Sequence, residues 1–374
     1  MAIYFLEIII IVLLWPLSKL KIKVNNKEKA DGTVLYLFVV FFLLTFVMAF
    51  RAPTIGTDTG TYYRMFIDIS NSDSLLEAIE VSRITAPVYV TYAYILGKIV
   101  KIPQIITIIN SVVVGIGMYK FIKKSSSNYL VSSLLYVCMP LYFESMNGTR
   151  QFMSIVFALN AFLYLVENKK NIRGWILLLL SFGIHNIGVV FGISIATIFI
   201  SEKVKDEKIL FLKSVFYSLL MVISLEFFIT LIIKIFPYYA IYINGYNPTQ
   251  FYDESGGGRV VLLYLALGVT ILLVTYLRWD KDLKNKYIIF LIPSVVGCVI
   301  LGIFYSKNVL INRLLWYFLP FFVVFIPNGY RLFKPKSRII ITGITIFVMA
   351  MYGYLHLIED KSGIVPYITI FSLY

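Results

Sequence analysis

Few residues in this sequence can do chemistry, and they are scattered along it. The stretch Arg51–Arg64 reads Arg-Ala-Pro-Thr-Ile-Gly-Thr-Asp-Thr-Gly-Thr-Tyr-Tyr-Arg and opens a polar loop after a long apolar run. Within it Asp58 is the acid best placed to act as a general base. The competing role is a turn-capping carboxylate, which Gly56 and Gly60 favour. His185 is one of two histidines and stands in Gly183-Ile184-His185-Asn186, a break inside an apolar run. It is either a hydrogen-bonded core residue or an acid/base group, since an imidazole titrates near neutrality. Arg51, Arg150, Arg259 and Arg313 sit where apolar segments begin or end. A guanidinium offers a planar fork that pairs two ways with phosphate or carboxylate oxygens. Partial desolvation at a membrane edge strengthens that pull. Together they point to an anionic ligand, most simply a phosphate or diphosphate. The alternative is that each pairs singly with a lipid headgroup or with an acid such as Asp58, Asp68 or Glu144. Arg64 closes the same loop.

Other chemistries find no support. There is no His-Glu-x-x-His motif, no Cys/His cluster and no acidic cage, so neither a metal nor a cofactor is expected. Cys138 and Cys298 lie in apolar runs as small core residues. Gly256-Gly257-Gly258-Arg259 lacks the Gly-Lys-Ser/Thr ending of a nucleotide loop. The tyrosines of Tyr238–Tyr252 suit either sugar stacking or a membrane-interface belt.

These residues must be positioned by helices in a bilayer. The chain is 59% hydrophobic and only 14% charged, and apolar runs of roughly 17–25 residues recur throughout. That predicts an all-α polytopic membrane protein and excludes a β-barrel, whose strands would alternate. No polar stretch is long enough to fold alone, so one integral membrane domain over residues 1–374 is expected. The net charge of +14 is a lysine excess of inner loops, and nucleic-acid binding is not expected.

Lysine clusters set the sidedness. Lys19–Lys29, Lys120–Lys124, Lys169–Arg173, Lys203–Lys213, Arg278–Lys286 and Arg331–Arg338 mark the cytoplasmic face. The segments between them are Ala2–Leu17, Val34–Phe50, Gln104–Ile122, Tyr129–Phe143 and Phe152–Val166, with a tight turn at Glu144–Gln151. Gly174–Ile200 is then a hairpin with His185 at its tip. Five further segments follow, ending with Leu310–Ile326 and Ile339–Leu357. Pro87–Lys101 is too short to cross and is read as re-entrant or interfacial, and Ser74–Ser82 as a short interfacial helix. The count is about 12 crossings. The outer loops, about 51–86 and 237–259, then hold Arg51, Arg64, Arg83 and Arg259, with Arg150 and Arg313 on the same side. Leaving aside Lys98 and Lys101 of Pro87–Lys101, only Lys234, Lys307 and Lys361 join them there. Orientation accounts for a lysine-rich inside but not for an arginine-rich outside.

The pattern resembles the EpsG family of polysaccharide polymerases, relatives of the Wzy O-antigen polymerases. The resemblance rests on Arg51 with Gly56-Thr57-Asp58-Thr59 and Tyr62, then Thr149-Arg150-Gln151 opening a helix. It continues with Phe182-Gly183-Ile184-His185 ending one, and Arg313-Leu314-Leu315 with Tyr317. It implies a metal-independent glycosyltransferase of GT-C-like architecture in the bacterial cytoplasmic membrane, its site facing outward. The implied substrate is an undecaprenyl-diphosphate-linked oligosaccharide, for O-antigen, capsule or exopolysaccharide, and a chain-length regulator is an implied partner. Asp58 and His185 would then be catalytic. Arg150, Arg259 and Arg313 would bind diphosphate, with Arg51 either joining them or fixing the loop, and Tyr62, Arg64, Gln151 and Tyr317 would contact the rest of the substrate. The rival classes are a flippase for the same lipid-linked units, and an O-antigen ligase or membrane acyltransferase. A flippase needs charges near the midplane and often paired repeats, neither of which is seen.

Overall fold

A computed structural model describes residues 1–24, 28–84, 86–202, 315–331, 333–360 and 362–373, with isolated positions at 209, 216, 230, 231, 234 and 313. Arg259, the tyrosines of Tyr238–Tyr252 and the segments expected between residues 235 and 312 lie outside them. The chain divides into two compact units, Met1–Val189 with Ile340–Tyr374, and Val190–Ile339.

The described residues form 13 α-helices. The first unit holds α1 (Ala2–Leu13), α2 (Gly32–Ala49), α3 (Thr59–Asn71), α4 (Leu75–Ser82), α5 (Pro87–Ile99), α6 (Gln104–Ser125), α7 (Tyr129–Cys138), α8 (Leu141–Asn147), α9 (Thr149–Glu167) and α10 (Ile172–Ile184). A short 3₁₀ helix, Asn186–Phe191, precedes α11 (Gly192–Glu202). Then come α12 (Leu319–Tyr330) and α13 (Pro335–Glu359). Among the described residues, five segments are long and apolar enough to cross a membrane: Ala2–Lys19, α2, α6, α9 and α13.

Several boundaries follow from local chemistry. Asp31 caps α2 by accepting from the Thr33 N–H at 2.9 Å. Ser74 caps α4 through the Glu77 N–H at 3.2 Å, and the Glu77 carboxylate accepts in return from the Asp73 N–H at 2.7 Å. The short helix expected at Ser74–Ser82 is therefore specified by its own start signal. Pro87–Lys101 is helical as α5, but its 13 residues reach only about 20 Å, short of the hydrocarbon thickness.

Two expectations need correction. Tyr129–Phe143 is not one helix: it breaks at Met139–Pro140 into α7 and α8, because Pro140 lacks the N–H that would continue the ladder. Nor is Glu144–Gln151 a turn: Glu144–Asn147 belong to α8 and only Gly148 separates it from α9. The lysine cluster after α1 also holds a small antiparallel hairpin, Lys21–Val24 with Glu28–Asp31, in register Lys21↔Asp31 and Val24↔Glu28. Its Lys-Ile-Lys-Val alternation has the strand period.

In the first unit α6 is the central post, packed on both α2 and α9, while α9 packs on α10 and α3 on α5. Two glycines of α6 allow this. A Cβ at Gly115 would lie 1.9 Å from Thr45 Oγ1 of α2, and one at Gly117 would lie 2.4 Å from Val156 Cβ of α9. Asn160 of α9 locks the second contact by donating to Gly117 O at 3.0 Å and Val156 O at 2.7 Å. Gly115→Val is expected to force α2 away from α6 and cost about 1–3 kcal/mol. Its thermal unfolding midpoint in detergent should fall, whereas Gly343→Ala, with nothing within 4 Å of the new methyl group, should not lower it. Equal midpoints for Gly115→Val and the parent would refute the close-contact account.

Candidate functional site

Arg51 follows directly on α2 and is 1% exposed. Its Nη1 donates to Met48 O and to Ser111 Oγ at 3.2 Å. Its Nη2 donates to Met146 O at 2.9 Å and Thr149 Oγ1 at 2.9 Å. One guanidinium thus binds the C-terminal ends of α2 and α8, the first residue of α9 and the middle of α6. Burial pulls its pKa down to about 10, which leaves it charged at neutral pH. Of the two roles open to Arg51, ligand or brace, this placement is that of a brace. Gln104 repeats the pattern, donating through Nε2 to Ala49 O at 2.8 Å and Arg51 O at 3.4 Å.

The loop after Arg51 is held by a tail from the far end of the sequence. Ala52 N–H donates to Ile368 O at 2.9 Å, and Ile370 N–H to Phe50 O at 2.9 Å. Gly56 N–H donates to Gly363 O at 2.7 Å, and Thr57 N–H to Ser362 O at 3.3 Å. The two segments therefore run antiparallel. Side chains reinforce the pairing: Tyr367 donates to Val47 O at 2.7 Å and Tyr4 to Ile364 O at 2.8 Å. Gly56 has φ +88°, and a Cβ there would sit 2.8 Å from Met146 O, so a side chain fits neither conformation nor space.

This clasp presents Asp58 at the start of α3. The residue is half-buried, and its carboxylate makes no capping bond to the helix. Its N–H donates to Asn147 Oδ1 at 3.0 Å, which also accepts from Thr57 Oγ1 at 2.8 Å. One turn later, the half-buried Tyr62 ring lies 6.5 Å from that of Tyr89 on α5. Arg64 is exposed on the same helix.

Arg150 is the second residue of α9 and is half-buried. Its guanidinium carbon lies 5.7 Å from the centroid of the Tyr89 ring. Its Nε is buried without a hydrogen-bond partner, and among the described residues no acid pairs with it. The first turn of α9 contains no acidic residue. Tyr89 is held in turn by Asn110, whose amide donates to its hydroxyl at 3.5 Å while accepting from Tyr92 at 2.9 Å. Gln151, next to Arg150, is buried.

His185 ends α10 in an extended conformation, and the expected break is present there. It is 6% exposed. Two residues earlier Gly183 touches Val88, the neighbour of Tyr89, since a Cβ at 183 would lie 2.2 Å from Val88 Cγ2. Across from it, Ser154 of α9 and Ser181 of α10 exchange hydroxyl-to-carbonyl bonds of 2.9 Å each. The first unit therefore gathers Asp58, Tyr62, Arg150 and the His185 break around α5 and the start of α9. Arg313 and Tyr317 belong to the second unit. There Arg313 is half-buried, and the buried Tyr317 ring lies 6.5 Å from that of Phe191.

One cluster was not foreseen. His356 of α13 is buried: its Nε2 lies 2.9 Å from Ser362 Oγ and 3.5 Å from Glu144 Oε1. The Phe143 ring stacks on the imidazole at 6.3 Å. It ties the start of the tail to α8. Two rare polar types inside apolar segments were the available signal, but their separation in sequence hid the pairing.

These features define a helical membrane protein with polar, cation-bearing chemistry at one end of its helices. The chain belongs to the EpsG family, whose model matches residues 34–369, and that family is related to the Wzy-like polysaccharide polymerases. No curated protein and no solved structure matches the chain.

Removing the brace tests its assignment. Arg51→Ala leaves two buried carbonyls and two hydroxyls without their donor and should cost about 3 kcal/mol or more. Arg51→Lys should recover only part of this, since one ammonium cannot span the same four acceptors. A thermal midpoint for Arg51→Ala equal to the parent's would rule the brace out.

Proposed function

We propose that the chain is a membrane glycosyltransferase that joins undecaprenyl-diphosphate-linked oligosaccharide units at the outer face of the bacterial cytoplasmic membrane. The observation that carries this reading is Arg150. A half-buried guanidinium with an unsatisfied Nε and no acid among the described residues is a costly arrangement. It is made costlier by the helix N-terminus, whose partial positive charge disfavours a cation by about 0.3–1 kcal/mol. An anion set between Arg150 and the first N–H groups of α9 relieves both terms at once. A diphosphate leaving group is such an anion, and membership of a polysaccharide-polymerase-related family supports a lipid-linked sugar as the substrate.

In the proposed reaction an acceptor sugar hydroxyl attacks the anomeric carbon of the donor unit. The new glycosidic C–O bond forms as the bond to the lipid diphosphate breaks. The hydroxyl proton passes to a base, for which Asp58 and His185 are the candidates. Arg150 stabilises charge on the departing diphosphate, with Arg259 and Arg313 proposed as further ligands. Tyr62, Arg64, Gln151 and Tyr317 are proposed substrate contacts. Arg51 is given the positioning role, because both of its Nη groups are already committed. The whole is read as a GT-C-like bundle of about 12 crossings, with α5 as the re-entrant element.

The test is purified protein with a lipid-linked repeat unit, read by released lipid diphosphate and a ladder of longer glycans. Arg150→Ala should slow ladder growth about 100-fold while keeping the parent's thermal midpoint. Of Asp58→Asn and His185→Gln, the one that removes the base should abolish the ladder yet retain binding of the lipid-linked unit. Full-rate polymer from a well-folded Arg150→Ala protein would overturn the diphosphate role. Translocation of the unit with no ladder from the parent protein would point instead to a flippase.

A further inference from the structure

At the opposite end of α6 from Gln104, about 24 Å away along the helix, a cleft of about 470 Å³ opens between α6, α9 and α10. Its walls are apolar, formed by Val113, Ile116, Val156, Phe157, Ile176 and Leu177. Two cations, Lys120 and Arg173, also line it. Both are exposed, and among the described residues neither side chain has a partner. Their neighbours are treated differently. Lys124 pairs with Glu167 at 2.8 Å and lies 5.2 Å from the centroid of the Tyr164 ring. The local acid is therefore spent on a cation outside the cleft, and the two cations inside it are left uncompensated.

We infer that this cleft is a binding site for an anionic diacyl phospholipid, its phosphate held between Lys120 and Arg173 and one acyl chain lying along α6 and α9. The apolar walls exclude a free anion as the natural occupant, since they would desolvate it with no gain. The cations disfavour a neutral or zwitterionic lipid relative to an anionic one. The cleft floor is rigid, because the Asn160 amide ties Gly117 to Val156 beneath it. The site shares no residue with the proposed catalytic set and stands independently of it.

The test is native mass spectrometry of the full-length protein released from nanodiscs of phosphatidylcholine doped with phosphatidylglycerol. The parent should retain phosphatidylglycerol in preference to phosphatidylcholine. The Lys120→Ala/Arg173→Ala variant should lose that preference by about tenfold. Lys19→Ala/Lys21→Ala removes the same charge from exposed positions elsewhere and should leave the preference intact. Equal loss in both double variants would show only general surface electrostatics. Displacement of the lipid by millimolar inorganic phosphate would show a bare anion site. Either result overturns the proposal, as does retention by the Lys120→Ala/Arg173→Ala protein.

Discussion

The fold of the first unit depends on one buried cation. Three helices, α2, α8 and α9, begin or end where Arg51 lies while α6 passes beside it, and helix ends leave carbonyls that need a partner when buried. A single guanidinium supplies hydrogen bonds to Met48 O and Met146 O together with Ser111 and Thr149. Its planar fork suits this because it reaches several acceptors in fixed directions, which an ammonium cannot. Everything that makes the polar end of the unit usable starts from that point. α9 begins beside it, so Arg150 has a defined position, and the loop carrying Asp58 leaves from it.

The two arginines illustrate how identical side chains take opposite roles by context. Arg51 is enclosed by carbonyl and hydroxyl oxygens, and both of its Nη groups are bonded to them. Arg150, one residue from Thr149, faces an aromatic ring instead. The Nε of each is buried without a partner. A cation–π contact offsets part of the desolvation cost of a guanidinium but leaves its hydrogen-bonding capacity open. The first arrangement spends its Nη donors on the protein; the second does not, and the difference depends on neighbours brought from other helices.

Much of the frame could be read from residue order. Hydropathy located α2, α6, α9 and α13 to within a few residues, because a long apolar helix is a strong local signal. Ser74 announced α4, and Gly183-Ile184-His185-Asn186 announced the break after α10. Pro140 was legible too, yet continuous hydropathy from Tyr129 to Phe143 masked the break it causes. What could not be read were contacts between distant residues. The role of Arg51 turns on Ser111, Met146 and Thr149, and the pairing of Glu144 with His356 joins helices far apart in sequence. Spacing carries no information on such pairs; only packing decides them. The candidate site was therefore legible as a set of residue types, not as a division of labour among them.

The tail that clasps the Arg51 loop has a consequence for biogenesis. Ala52 and Gly56 find their partners in Ile368 and Gly363, residues that leave the ribosome long after the first helices have entered the membrane. Until then the Asp58 loop has only its local contacts, such as those to Asn147. Its backbone pairing is completed in one late step, when residues 362–370 reach back.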